Sequence, residues 1–111
     1  MLIDAKSLQA FQLSANQACD LMKVLSNRNR MLLLCEISRA EVCVSDLERR
    51  LDIHQPTLSQ QLTILRKKKL VGTRREGKQI YYSLTSEIAI SVMALLYEHY
   101  CKKSPVADYD E

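Results

Sequence analysis

The strongest constraint on this chain lies between Ser45 and Leu84, where two helical patterns separated by a tight turn run straight into a β-prone pair. Ser45-Asp46-Leu47-Glu48 has the S-x-x-E spacing of a capping box, in which the Ser and Glu side chains bond reciprocally to free backbone donors. It predicts a short helix over 45–52 with Leu47 and Leu51 turned inward. Asp52-Ile53-His54-Gln55 then reads as a turn. Pro56 fits the first position of a longer helix, where its missing N–H leaves no bond unmade. That helix is expected to run to Lys69. Residues 71–75 and 79–84 are β-prone and flank Glu76-Gly77-Lys78, so they predict a hairpin.

With only two glycines and two prolines in 111 residues, little else interrupts helix formation. Residues 7–25 repeat apolar side chains at Leu8, Phe11, Ala15, Ala18, Met22 and Leu25, a spacing of three and four that predicts one helix. Ser26 reads as the N-cap of a second helix over 28–38. Met31, Leu32, Leu33, Leu34, Cys35 and Ile37 make that helix apolar on nearly every side, so it should be central. Thr85 or Ser86 begins a last helix through Ile88, Val92, Leu95, Leu96 and Tyr100. The expected fold is mainly α with a β-hairpin wing, in the order α-α-α-α-β-β-α. It forms one domain over 7–103, with a flexible N-terminus (1–6) and an acidic C-terminal tail (104–111). No stretch approaches the roughly 18 apolar residues of a membrane span. Met1-Leu2-Ile3-Asp4-Ala5-Lys6 lacks the basic-then-apolar pattern of a signal peptide, so a cytoplasmic protein without membrane contact is expected.

Charge is unevenly placed. Residues 45–80 carry nine Lys/Arg against four Asp/Glu, whereas the rest of the chain carries seven against nine. A solvated charged face would account for this alone, but the helix over 56–69 adds a pattern. At ~100° per residue, Leu58, Leu62 and Leu65 fall within about 60° of one another and form a buried stripe. The opposite face shows Pro56, Gln60, Thr63 and Lys67, with Thr57 and Ser59 on its shoulders. An ordinary amphipathic helix explains the leucines, but not an exposed face that is Gln/Ser/Thr-rich and then abruptly cationic. Gln can pair with an adenine edge in the major groove, and Ser or Thr can bond a base or a phosphate. Gln55, Thr57, Ser59, Gln60 and Thr63 are therefore candidate DNA contacts, with Lys67 and its basic neighbours aimed at backbone phosphates. Arg74, Arg75 and Lys78 surround the hairpin tip, where a cationic ribbon can reach a groove or the backbone. Short helix, turn, long helix and basic hairpin together predict a winged helix-turn-helix that contacts double-stranded DNA.

Several stretches resemble the ArsR/SmtB family of dimeric repressors. They are Val24-Leu25-Ser26-Asn27-Arg28-Asn29-Arg30-Met31-Leu32-Leu33-Leu34, Val44-Ser45-Asp46-Leu47, Gln55-Pro56-Thr57-Leu58-Ser59-Gln60-Gln61-Leu62, and Leu70-Val71 before the wing. The resemblance covers residues 18–101. It implies a homodimer paired through the first and last helices, bound to an inverted repeat, whose operator affinity an inducer lowers.

Four cysteines in a cytoplasmic chain are expected to be thiols, metal ligands or redox sensors rather than structural staples. Some family members sense metals through Cys-Val-Cys at the start of the third helix. Here that site reads Cys43-Val44-Ser45, and hydroxyl is a poor soft-metal ligand. The family's zinc type needs ligand pairs at both ends of the last helix, which offers Glu98 and His99 but nothing suitable near Ile88–Ser91. The expectation is therefore no metal and no cofactor. A metal(loid)-responsive repressor using Cys43 or other thiols stands as the alternative. Cys35 and Cys101 match the two cysteines of the BigR/SqrR-type subgroup. That match implies a disulfide or polysulfide link within one subunit, formed by persulfide or related reactive sulfur, that releases DNA. By residue statistics alone Cys35 would be a small buried hydrophobe. Cys19, beside the apolar stripe of the first helix, reads as a packing residue, and Cys43 as a remnant, a bystander or a second redox site. No Cys-x-x-Cys, glycine-rich phosphate loop or gathered Ser/His/Asp set points to an enzyme.

Overall fold

A computed structural model describes residues 3–101. Among them the elements run α1 (Ala5–Leu13), α2 (Ala15–Leu25), α3 (Arg28–Arg39), β1 (Val42–Cys43), α4 (Val44–Leu51), α5 (Gln55–Lys67), β2 (Val71–Glu76), β3 (Gln79–Leu84) and α6 (Glu87–Tyr100). The mainly helical winged architecture agrees with the sequence pattern. The acidic tail expected over 104–111, and the end of the domain at 103, lie outside the described residues.

The helix predicted over 7–25 is two helices. Ser14, at φ −104° and ψ 6°, is the C-cap of α1 and the N-cap of α2. Its N–H bonds to the Phe11 carbonyl at 3.0 Å while its own carbonyl accepts from Ala18 at 3.2 Å. The three-four spacing persists across the break, so periodicity alone could not detect it. α1 starts at Ala5, inside the segment read as flexible, because the Asp4 carboxylate accepts from the Ser7 N–H at 2.7 Å and caps it. This bond also holds the Asp4 pKa below its usual value.

Two further caps differ from expectation. Ser26 closes α2, and Asn27 is the N-cap of α3, accepting from the Arg30 N–H at 3.0 Å. The capping box at Ser45 does not form: α4 already begins at Val44, Cys43 is the N-cap without a side-chain cap bond, and the Ser45 hydroxyl faces the Cys43 sulfur at 3.2 Å. Cys43 stands there because it belongs to β1, a strand too short to leave a sequence signal. β1 pairs antiparallel with β3 (Val42 with Tyr82, Cys43 with Tyr81), giving a three-stranded sheet in the order β1-β3-β2. Glu76 pairs with Gln79, so Gly77-Lys78 is a two-residue turn. Gly77 adopts φ 63° and Lys78 does not go positive, the pattern of a type II′ hairpin turn.

Leu33, Leu34, Leu47, Leu58, Leu62 and Leu65 are completely buried and come from α3, α4 and α5. α3 packs against α2, α4, α5, α6 and β3, so the most apolar helix is the hub of the domain. By contrast α1 has no buried residue, and Leu8, Phe11 and Leu13 stand exposed.

Candidate nucleic-acid interface

α4 and α5 are joined by Asp52-Ile53-His54. Asp52 takes the left-handed conformation at φ 53°, with its N–H on the Glu48 carbonyl at 3.1 Å, which reverses the chain within a few residues. His54 is the extended N-cap of α5, and its carbonyl accepts from the Leu58 N–H at 2.9 Å. Pro56 thus falls at the second helical position rather than the first, still within the turn whose donors need no intrahelical partner. Ile53 is buried and anchors the turn.

The leucine stripe fixes which side of α5 faces out. Gln55, Ser59, Gln60, Thr63 and Lys67 are exposed, and Thr57 is half-buried. Gln55 donates weakly to the Ser59 hydroxyl at 3.4 Å, and the Thr63 hydroxyl donates to the Ser59 carbonyl at 2.8 Å. Thr63 therefore meets a ligand chiefly as an acceptor or through its methyl group. The fold gives Gln60 no side-chain hydrogen bond among the described residues, so its amide keeps full donor and acceptor capacity.

The wing is arranged differently. Arg74 donates from Nε to Glu41 at 2.8 Å and from Nη1 to Glu76 at 2.6 Å, and its guanidinium lies 4.8 Å from the Tyr81 ring centroid. The Glu41 bond first, and Glu76 second, hold its pKa above the usual arginine value. Arg75 reaches only the Gly77 carbonyl at 3.3 Å, and Lys78 is exposed at the turn. Two contributors had no place in the sequence reading. Glu41 signals nothing because its partner lies 33 positions away, and Arg30, which bonds Gln61 at 2.9 Å, sits in a stretch that reads only as helix.

All four cysteines are free thiols. Cys35 is half-buried on α3, against the core cluster. Cys101 is exposed where α6 ends, and α6 packs on α3. Burial pushes the Cys35 thiol pKa up, and the negative charges of a nearby Cys101 thiolate and of Glu36 push it further, with Arg39 opposing. Cys43 is buried with a hydroxyl as its neighbour, and no group of three or more His, Cys, Asp or Glu among the described residues converges on a metal position. Cys19, read as a packing residue, is exposed in the single chain.

Residues 27–73 match the family model described as "Bacterial regulatory protein, arsR family". Over 94 residues the chain is 43% identical to the Biofilm growth-associated repressor of Agrobacterium fabrum, covering 85% of this chain and 80% of that protein. The chain belongs to the arsR family of bacterial regulatory proteins. Its helix-turn-helix is therefore that of a DNA-binding transcriptional regulator and not part of an enzyme. The arsR-family fold is shared with the crystal structure of the transcriptional repressor BigR from Xylella fastidiosa, at 41% identity and a TM-score of 0.79 over 84% of this chain and 95% of that one. It is shared also with reduced HlyU from Vibrio cholerae, at 34% identity and a TM-score of 0.80 over 85% of this chain and 99% of that one. Among the described residues no helix of this arsR-family protein is long and apolar enough to cross a membrane.

Proposed function

We propose that this regulator is a cytoplasmic homodimeric repressor of an inverted-repeat operator, released when Cys35 and Cys101 of one subunit are joined through sulfur. The observation that carries the reading is that Cys35 lies on α3 and Cys101 at the end of α6, two helices that pack against each other. Likeness to proteins named as repressors, and to a regulator described in its reduced form, supports the same assignment. Gln55, Thr57, Ser59, Gln60 and Thr63 would meet base edges and nearby phosphates, while Lys67, Arg75 and Lys78 would meet the backbone. Arg74 would join them only by leaving its carboxylates.

Dimerisation is favoured by the apolar side chains that one chain leaves in water. Leu8, Phe11 and Leu13 on α1 and Ile88, Leu95 and Tyr97 on α6 are all exposed. An open groove of about 530 Å³, bounded by α2, the end of α1, the turn after α5 and the start of α6, is lined by Phe11, Leu21, Val24, Leu70 and Ile88.

The inducer would be a persulfide, R–S–SH. Exposed Cys101 attacks first: its thiolate takes the sulfane sulfur and expels R–S⁻, giving Cys101–S–SH. The Cys35 thiolate then attacks the Cys101 sulfur, forming the disulfide and releasing hydrosulfide. Two thiols and one persulfide thus yield a disulfide, a thiol and hydrogen sulfide. The polysulfide form consumes a second persulfide: it converts Cys35 to Cys35–S–SH with loss of R–S⁻, and the terminal sulfur of Cys101–S–S⁻ then attacks the Cys35 sulfur and expels hydrosulfide, leaving a trisulfide. A bridge between α3, the hub of the DNA-binding half, and α6 would alter the spacing of the two recognition helices. A coupling of this kind typically changes affinity by about 5–150-fold.

Mass spectrometry after glutathione persulfide, read beside an operator mobility shift, tests the reading. The expected product is an intrasubunit Cys35–Cys101 link in step with DNA release. Cys35→Ser and Cys101→Ser should each bind DNA normally and fail to release. A normal response from either variant defeats the dithiol model. Because its pKa is raised, less Cys35 is thiolate at a given pH than for an ordinary cysteine. Its alkylation should therefore rise with a midpoint above the usual thiol value, which peptide mapping across a pH series reads directly.

A further inference from the structure

Arg30, in the first turn of α3, binds two other helices at once. Its Nε donates to the Val24 carbonyl at 2.6 Å and Nη2 to the Lys23 carbonyl at 3.3 Å, both in the last turn of α2. Its Nη1 donates to Oε1 of Gln61 on α5 at 2.9 Å. A guanidinium suits the first two partners because the carboxyl end of a helix carries unsatisfied carbonyls and partial negative charge. The third partner is half-buried, on the inward shoulder of α5, next in sequence to the outward Gln60.

From this arrangement we infer that Arg30 is a positioning residue for sequence reading: through Gln61 it fixes the rotation of α5 about its own axis. The inference rests on α5 being the helix that reads DNA. Leu58, Leu62 and Leu65 hold α5 to the body of the domain, but apolar burial has no direction and resists rolling poorly. A charge-assisted hydrogen bond does have direction. With side-chain tips about 5–6 Å from the helix axis, a roll of about 10° moves them by about 1 Å. Hydrogen bonds to base edges do not tolerate that displacement, since functional groups must be held within about 0.5 Å of their productive positions. Phosphate contacts by long lysines tolerate it easily. Loss of the Arg30–Gln61 bond should therefore lower discrimination more than it lowers general DNA affinity.

The test compares an inverted-repeat duplex, selected by the wild-type protein from a randomised pool, with a scrambled duplex of equal length and composition. Gln61→Met keeps the size of the side chain and removes the acceptor. It should weaken operator binding about tenfold, leave scrambled-duplex binding within about twofold, and leave dimer content and thermal midpoint unchanged. Gln61→Glu restores an acceptor, and although its charge weakens both duplexes, the operator-to-scrambled ratio should return to the wild-type value. Arg30→Lys cannot span all three partners and should lower the ratio as Gln61→Met does. The double variant should lose no more than the worse single one. An unchanged ratio in Gln61→Met, no recovery in Gln61→Glu, or losses that multiply in the double variant would overturn the inference. If the wild-type protein discriminates between no duplexes, the DNA assignment of α5 fails instead. Amide exchange over residues 55–67 in the free protein then decides: faster exchange in Gln61→Met supports the joint, and unchanged exchange refutes it.

Discussion

The outward face of α5 and the tip of the wing both offer exposed polar side chains, but the fold leaves them in opposite states of readiness. Gln60 is exposed and makes no side-chain hydrogen bond among the described residues. Arg74 is also exposed, yet its guanidinium already holds Glu41 and Glu76 and lies over Tyr81. A neutral amide can exchange water for a base edge without disturbing the protein. A doubly paired arginine must first give up two carboxylates. Exposure and charge thus do not measure availability, and the wing cations that count toward a phosphate are Arg75 and Lys78, which no carboxylate holds among the described residues.

The largest test of this contrast is Gln60→Ala. Removal of an amide that reads a base edge should cost about 1–3 kcal/mol in operator binding and leave the dimer intact. Unchanged operator affinity by fluorescence anisotropy would break the comparison at its stronger end. Next in size is Arg75→Ala with Lys78→Ala. If both cations meet phosphates, the slope of log affinity against log salt should fall by about 2. Arg74→Ala alone should change the slope by much less, and a drop as large as one full contact would erase the distinction within the wing. Smaller still is Glu41→Gln, which frees Arg74 from its 2.8 Å carboxylate partner. That variant should bind scrambled duplex somewhat more tightly and with a steeper salt slope. No change would mean that Glu76 alone is enough to occupy Arg74.

The sequence carried the part of this molecule that repeats. The leucines of α5, the turn after α4, the apolar α3 and the hairpin around Gly77 all leave periodic or turn-forming signals, and each lies where those signals point. What was illegible depends on single events or on distance along the chain. The break at Ser14 preserves the apolar spacing on both sides. β1 is two residues long, and by making Cys43 the N-cap of α4 it cancels the capping box that Ser45 and Glu48 advertise. The Arg74–Glu41 and Arg30–Gln61 pairs join residues 33 and 31 positions apart, and no local pattern encodes them. For the thiols, the match of Cys35 and Cys101 to a family subgroup named the pair. Spacing alone could not have brought α3 and α6 together.

The junction between the two compared regions gives the smallest effect and a separate check on how rigidly the wing is set against α5. The Leu70 N–H bonds to the Leu65 carbonyl and the Lys69 N–H to the Arg66 carbonyl, both at 3.0 Å, the two bonds of a Schellman end. Leu65 and Leu70 are both buried beside it. The left-handed residue is Lys69 at φ 62°, where glycine is usual and an L side chain is strained. Lys69→Gly should therefore stabilise the protein by about 1 kcal/mol, measured as a higher urea midpoint at unchanged slope. The helix end and its two bonds would remain, so operator affinity should fall only by what one weak phosphate contact supplies. A loss of stability would mean that the lysine side chain, and not the backbone turn, holds the wing to the recognition helix.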